Sequence, residues 1–371
     1  MKFALLRSAR LYDGSATRHG LVAFLAAALL LPVSLLQAAG TVGEVVTIRG
    51  HVSDIALDEM RGRLYVANFT ANRIEVIGVA SRRVESVLPV APQPGSIALS
   101  PSGTHLLVTH FGNRTGTSFN NNAYTILNLQ TGTQQNFGSL PTPLAASFGN
   151  NGNARVVTSR EFLLRDPANG TTQLVMTVQA VAESLPVVGP KKPAQVVQAT
   201  MTTSRDGMMV FGLASLSVND DSAEGDFSVV FRYDMLRGIF RTMSLTASPP
   251  MGPRVVSSSR TGATYMAGWG LFDLKDTLLA QFPNASGRYD VGTHVFAPQA
   301  GVIYAQFQRR ETESAQPASP NEPTLLVLDD DNLAVRARYR LPENLAGKSI
   351  LSADERVLYS ISESGIAIID V

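Results

Sequence analysis

The chain contains no cysteine among its 371 residues. This excludes disulfides, thiolate metal ligands and the cysteine on which a lipid anchor is built. Stability must then come from packing and strand pairing, which suits a large closed domain better than a small secreted one. Charge is also sparse, with 16% Asp, Glu, Lys and Arg and a formal net charge of +1. Without the first 39 residues, 27 basic and 29 acidic residues remain. Such a near-neutral balance speaks against nucleic acid as a partner and against strong attraction to anionic membranes. Residues 40 to 371 hold no long apolar run, so no stable membrane insertion is expected of them.

The N-terminus is different in kind. Lys2, Arg7, Arg10 and Arg18 precede an uncharged stretch from Leu21 to Leu36, and Ala38, Ala39 and Gly40 follow. A basic segment, an apolar core and small residues describe a secretory signal peptide, expected over residues 1–39. The alternative is a retained anchor, because the run is only slightly short of the ~20 residues a spanning helix needs. Pro32 and the small residues after it favour cleavage. The expected location is therefore secreted, periplasmic or cell-surface.

What the rest of the chain has in abundance is one repeating unit: an apolar run, a tight polar turn and a second apolar run. The turns are Asp58-Glu-Met-Arg-Gly62, Ser100-Pro-Ser-Gly103, Gly149-Asn-Asn-Gly152, Ser204-Arg-Asp-Gly207, Ser259-Arg-Thr-Gly262, Pro298-Gln-Ala-Gly301 and Ser352-Ala-Asp-Glu355. Their spacing of roughly 40 to 55 residues is the period of a four-stranded propeller blade. The first unit reads as four short strands, at Ile55–Leu57, Arg63–Ala67, Arg73–Ile77 and Val84–Leu88. Inner strands of the later units begin near Ser96, Leu144, Val197, Arg254, Thr293 and Lys348. Weak alternation in the inner strands fits elements covered on both faces. The expected fold is all-β, one seven-bladed propeller of four-stranded antiparallel blades over residues 40–371. The last unit ends one strand short, and Gly43–Ile48 has no other partner. The N-terminal strand is expected to complete the C-terminal blade, leaving no open edge.

Leu64-Tyr-Val-Ala-Asn68, Asn72-Arg-Ile-Glu-Val-Ile77 and Gly95-Ser-Ile-Ala-Leu-Ser-Pro-Ser-Gly103 resemble the YVTN-type β-propeller repeat of surface-layer and other exported prokaryotic proteins. The match is best over residues 45 to 110, with Ala67 where that repeat usually has threonine. The resemblance implies seven blades, export and a binding or scaffold role. It carries no catalytic residues.

Function is sought where the repeat departs from itself. Three connections are expanded: 111–122, with Arg114, Phe119 and Asn120; 216–226, with Asp221 and Asp226; and 308–323, with Arg309. All three join second to third strands, and the link 186–193 joins an outer strand to the next inner one. Strand order brings these to one face, and insertions gathered on one face mark a binding face. Phe119 on a polar loop suits stacking on a sugar or peptide, or pegging its own loop to the blade. Asp220, Asp221, Glu224 and Asp226 lack the alternation of a calcium loop and read as a solvated acidic loop.

His51, His105, His110 and His294 are spread over different blades without the paired spacing of a zinc site. His110 and His294 are candidates for a central pocket, or satisfied structural histidines. At the channel ends of the inner strands the ionisable residues are Asp54, Arg254, His294 and Lys348. Without convergent carboxylates or histidines, no catalytic residue, metal or cofactor is expected. The sequence reading is a monomeric, exported, non-catalytic module that binds a protein, peptide or glycan at the cell surface. Its alternative is a propeller hydrolase, lactonase or lyase working at the central channel mouth. Trp269, between Gly268 and Gly270, stands where neighbouring blades carry an insertion and is expected to pack between blades. The sequons at Asn68, Asn113, Asn169 and Asn284 would matter only in a eukaryotic secretory path.

Overall fold

The computed structural model describes residues 41–111, 123–138, 141–185, 193–218, 227–245, 255–283, 289–309 and 322–371. The expected signal peptide, residues 1–39, and the candidates Arg114, Phe119, Asn120, Asp221, Asp226 and Arg254 lie outside the described residues.

Each repeat folds as one antiparallel four-stranded sheet whose strands run in sequence order from inside to outside. Strand β1 (Glu44–Thr47) precedes the first blade, which holds β2 (Val52–Asp58), β3 (Arg63–Asn68), β4 (Arg73–Gly78) and β5 (Arg83–Pro89). The second holds β6 (Pro94–Leu99), β7 (His105–His110), β8 (Ala123–Asn128) and β9 (Gln134–Gly138). The third holds β10 (Pro143–Phe148), β11 (Ala154–Thr158), β12 (Glu161–Arg165) and β13 (Thr172–Thr177), followed by the helix α1 (Val178–Ser184). The fourth holds β14 (Gln195–Thr203), β15 (Met209–Ser217), β16 (Phe227–Asp234) and β17 (Ile239–Leu245). The fifth holds β18 (Val256–Ser258), β19 (Thr264–Ala267), β20 (Gly270–Asp273) and β21 (Leu278–Gln281). The sixth holds β22 (Tyr289–Ala297), β23 (Val302–Arg309), β24 (Thr324–Asp329) and β25 (Val335–Arg340). The seventh holds β26 (Leu345–Leu351), β27 (Val357–Ser362) and β28 (Gly365–Asp370), with β1 beside β28.

Inner strands contact one another in ring order, β26 meeting β2, so the seven blades form a ring. Within the seventh sheet Glu44 pairs with Ile368 and Thr47 with Gly365, and Arg82 of blade one bonds both Glu44 and Asp370.

Burial follows position in the blade. The second and third strands, such as Leu64-Tyr-Val-Ala67, are buried on both faces by adjoining blades and read as unbroken apolar runs. The outer strand β5 is exposed along most of its length and carries Arg83, Glu85 and Ser86. The core consists of inter-blade clusters, one of which joins Ile55, Leu64 and Ile77 of blade one to Tyr359, Ile361, Ile366 and Ile368 of blade seven. Trp269 is buried and stacks on Phe307 of blade six at 5.4 Å, so it does pack between blades. Helix α1 was not expected. Its Thr177 cap, bonded to the amide of Ala180, and its buried Val178, Val181 and Ala182 were nonetheless in the sequence at helical spacing.

Candidate functional site

In an antiparallel four-stranded blade, first strands begin and second strands end on the same face. Six of the seven inner strands lose register near their start: at Val52/Asp54, Pro94/Ile97, Pro143/Ala145, Val196/Gln198, Val291/Thr293 and Leu345/Ser349. Such bulges push the skipped residues out of the ladder and re-aim their side chains. Five of these bulges supply the wall of one cavity of about 500 Å³ at the channel mouth, contributing Ser53, Gly95, Ser96, Leu144, Val197 and the run Ala346 to Lys348. In blade six the bulged Gly292 faces the Leu345 carbonyl instead, where an added Cβ would approach to 2.7 Å.

The rest of the wall comes from the ends of second strands. Phe69 and Phe111 occupy equivalent positions after β3 and β7, their amides donating to the carbonyls of His51 and Gln93 at 2.8 and 2.9 Å. Together with His51 they form an edge-to-face series, each ring pair 6.3 Å apart. Gln198, Ala199 and Thr200 face them from blade four.

Two charges line this cavity. Lys348 Nζ lies 3.0 Å from Asp54 Oδ1. The same oxygen accepts from the amide of Ile55 at 2.8 Å, while Oδ2 accepts from Ser96 Oγ at 2.7 Å and from the amide of Ile97 at 2.9 Å. Ser96 Oγ in turn accepts from the amide of Ala146 at 3.3 Å. A polar belt therefore runs from blade seven through blades one and two to blade three. It continues as Ser147 with Thr203 at 2.5 Å, Ser257 with His294 at 2.6 Å and Thr293 with Ser349 at 2.6 Å. A buried carboxylate needs this many donors.

The structure brings together Asp54 and Lys348 from the ionisable channel residues, and sends His294 elsewhere. His294 is 1% exposed, packed between blades five and six against Ser257, so it does not line the cavity. Burial pushes its imidazole from 6.5 down to about 3, backbone hydrogen bonds opposing the shift. His110 is likewise fully buried, bonded to Thr125 Oγ1 at 2.7 Å and to the Pro92 carbonyl at 3.1 Å. Asn68 makes the equivalent pair of bonds in blade one, to Glu75 and to the Arg49 carbonyl, so His110 is a structural anchor. Burial lowers its pKa to about 4. Asn68 is fully buried, which rules it out as a glycan acceptor. Arg309 closes β23 at the end where the segment 310–321 departs. Among the described residues no group of three His, Cys, Asp or Glu side chains is placed to share a metal ion, and no helix is long and apolar enough to cross a membrane.

The opposite face is laced shut by its turns. Arg61 of blade one bonds Asp58 at 2.7 Å and the Gly103 carbonyl of blade two at 2.6 Å. The amide of Asn150 donates to Gly207, and that of Asp206 to Arg260, linking blades three to five. Glu355 of blade seven accepts from the amides of Gln299 and Ala300 in blade six. Arg205 of blade four reaches across the axis to Glu355 at 3.1 Å and to the Ala353 carbonyl.

No family model and no curated sequence matches the chain. Among solved structures it is similar to the β-propeller domain of Cps50 (Swd1) from Myceliophteria thermophila, with 14% identity, a TM-score of 0.60, and coverage of 88% of this chain and 98% of that one. It is also similar to U3-55K, at 12% identity and TM-score 0.58 over 88% and 98% of the two chains. The RRP9 WD40 repeats match at 12% and 0.58 over 89% and 99%. The chain shares the WD40-type propeller fold. At these identities the likeness is one of fold, and a propeller hosts many unrelated activities. What this propeller does must be read from its own cavity.

Proposed function

We propose that the chain is an exported, non-catalytic propeller of the YVTN kind. It binds a protein, peptide or glycan through the face where its inner strands begin, with the central cavity as the anchoring point. One observation carries the reading: a cavity of about 500 Å³, within the range that holds small ligands or anchoring side chains, built from bulged residues of five blades. Its position supports the choice of face made from the loops. Phe111, the first residue of the expanded connection 111–122, is part of its wall. The enzyme alternative would have to use Asp54 and Lys348. Asp54 has two donors on each oxygen, which leaves it poorly suited to take a substrate proton.

The test is a peptide and glycan array probed with the chain from residue 41 onward and with a version whose residues 113–121 are replaced by a short Gly-Ser link. The reading expects array ligands that weaken when the segment is replaced. Ligands indifferent to the replacement would remove that segment from the binding face.

A further inference from the structure

The chemistry of the cavity points to the sign of its ligand. The carboxylate of Asp54 is saturated, since the amides of Ile55 and Ile97, the Ser96 hydroxyl and Lys348 occupy both oxygens. The ammonium of Lys348 has three donors, and among the described residues Asp54 is the partner it is given. The two amide dipoles already compensate Asp54, so the pair has donor capacity to spare and little acceptor capacity. A cationic ligand would compete for a filled carboxylate and meet Lys348 as a like charge. An anionic or carbonyl-bearing ligand would meet free N–H donors in a recess, where charge-assisted hydrogen bonds are strongest.

The backbone holds that ammonium in place. The register shift between Leu345 and Ser349 puts Ala346, Gly347 and Lys348 outside the ladder. Gly347 adopts a φ of +154°, in the region that favours glycine, although a Cβ there would meet Ile361 only at ordinary contact distance. Only glycine enters this conformation without strain, and the next residue is thereby turned into the cavity. Across the recess stand the half-buried rings of Phe69 and Phe111, with His51 beside them.

We propose that the cavity binds a carboxylate carried beside an aromatic or other apolar group, the carboxylate held by Lys348 and the apolar group against Phe69 and Phe111. This rests on the binding reading above and narrows it to one class of ligand. A chain terminus and a free organic acid share this chemistry.

N-acetylphenylalanine and its neutral amide, titrated by calorimetry or ligand-observed NMR into the chain from residue 41 onward, test it. The acid should bind at least about tenfold more tightly than the amide. Lys348→Met should erase the difference, Lys348→Arg should keep it, and Phe111→Ala should weaken acid and amide together. Melting curves of all three variants show whether each is folded, and the Arg variant keeps the test sound should the Met variant fail. A tetrapeptide ending in phenylalanine with a free carboxylate separates the sources: binding equal to the small acid assigns the site to a chain terminus, and binding by the small acid alone assigns it to a metabolite. Equal binding of acid and amide, or no binding of either at about 10 mM, overturns the proposal. Array ligands that depend on residues 113–121 but ignore Lys348→Met would sink the carboxylate assignment while leaving the binding face intact.

Discussion

Arg205 and Glu355 belong to blades four and seven, and their side chains meet at 3.1 Å across the ring axis on the turn face. Glu355 occupies the position where the other six turns have glycine at φ +61° to +80°, and it takes the same conformation at +59°. A side chain in the left-handed region costs about 1 kcal/mol. Glu355 offsets this with bonds to Arg205 and to the amides of Gln299 and Ala300, each charge-assisted and typically stronger than a neutral one. Glu355→Gly should therefore lower stability by about 1 to 3 kcal/mol in urea titration despite relieving the backbone. A more stable glycine variant would show the clamp to be incidental.

The β1 pairing makes a second prediction. Deleting residues 41–49 removes the strand beside β28, the buried Ile48 and the Glu44 end of the Arg82 bridge. The melting temperature should fall by on the order of 10 °C. An unchanged melting curve would mean that β1 contributes nothing to holding the seventh blade.

Two buried arginines should respond to replacement by different amounts. Arg155 of blade three stacks at 4.0 Å over Tyr233 of blade four, its Nε and Nη1 have no hydrogen-bond partner among the described residues, and burial pulls its pKa down. Replacement by methionine trades a cation–π contact for relief from desolvation and should change stability by less than about 1 kcal/mol. Arg232 bonds Asp276 of blade five, which also accepts from the Tyr265 hydroxyl at 2.8 Å. Arg232→Met strands that carboxylate and should cost on the order of 2 to 3 kcal/mol. Equal losses in chemical denaturation would contradict this account of the two junctions.

The buried histidines set a pH dependence. His110 and His294 have folded pKa values lowered to about 4 and about 3 from 6.5. Below 6.5 the unfolded chain binds protons that the folded chain does not. Their contribution is complete above 6.5 and is lost as pH falls towards 4, by about 3 kcal/mol for each. Urea midpoints should drop between about pH 7 and about pH 4.5. His110→Asn should fold, because Asn68 makes the same bonds in blade one, and should flatten the curve. A variant with the wild-type slope would show that His110 is not the group titrating.

Blade number and strand order could be read from turn spacing, because each depends on local chemistry repeated seven times. The channel residues Asp54 and Lys348 were legible as ionisable groups at strand starts. Their meeting was not, since it depends on the bulges at Val52/Asp54 and Leu345/Ser349, which leave no clear mark in the sequence. His294 illustrates the converse: its place in an inner strand was right, but a one-residue register shift at Val291/Thr293 decides which way a side chain faces. Phe69 and Phe111 had a usable signal. Each follows the second strand of its blade directly, and aligning Leu64–Asn68 with Leu106–His110 would have paired them.

The central claim is that binding occurs at the cavity face and not at the turn face. Peptides selected on the purified propeller can be measured against two single variants: Thr200→Trp, which fills the cavity from blade four, and Met60→Glu, on a turn-face residue that is 86% exposed. The account predicts at least about a tenfold loss of affinity for Thr200→Trp at unchanged melting temperature, and no change for Met60→Glu. Full affinity in the Thr200→Trp protein, or loss confined to Met60→Glu, would contradict it.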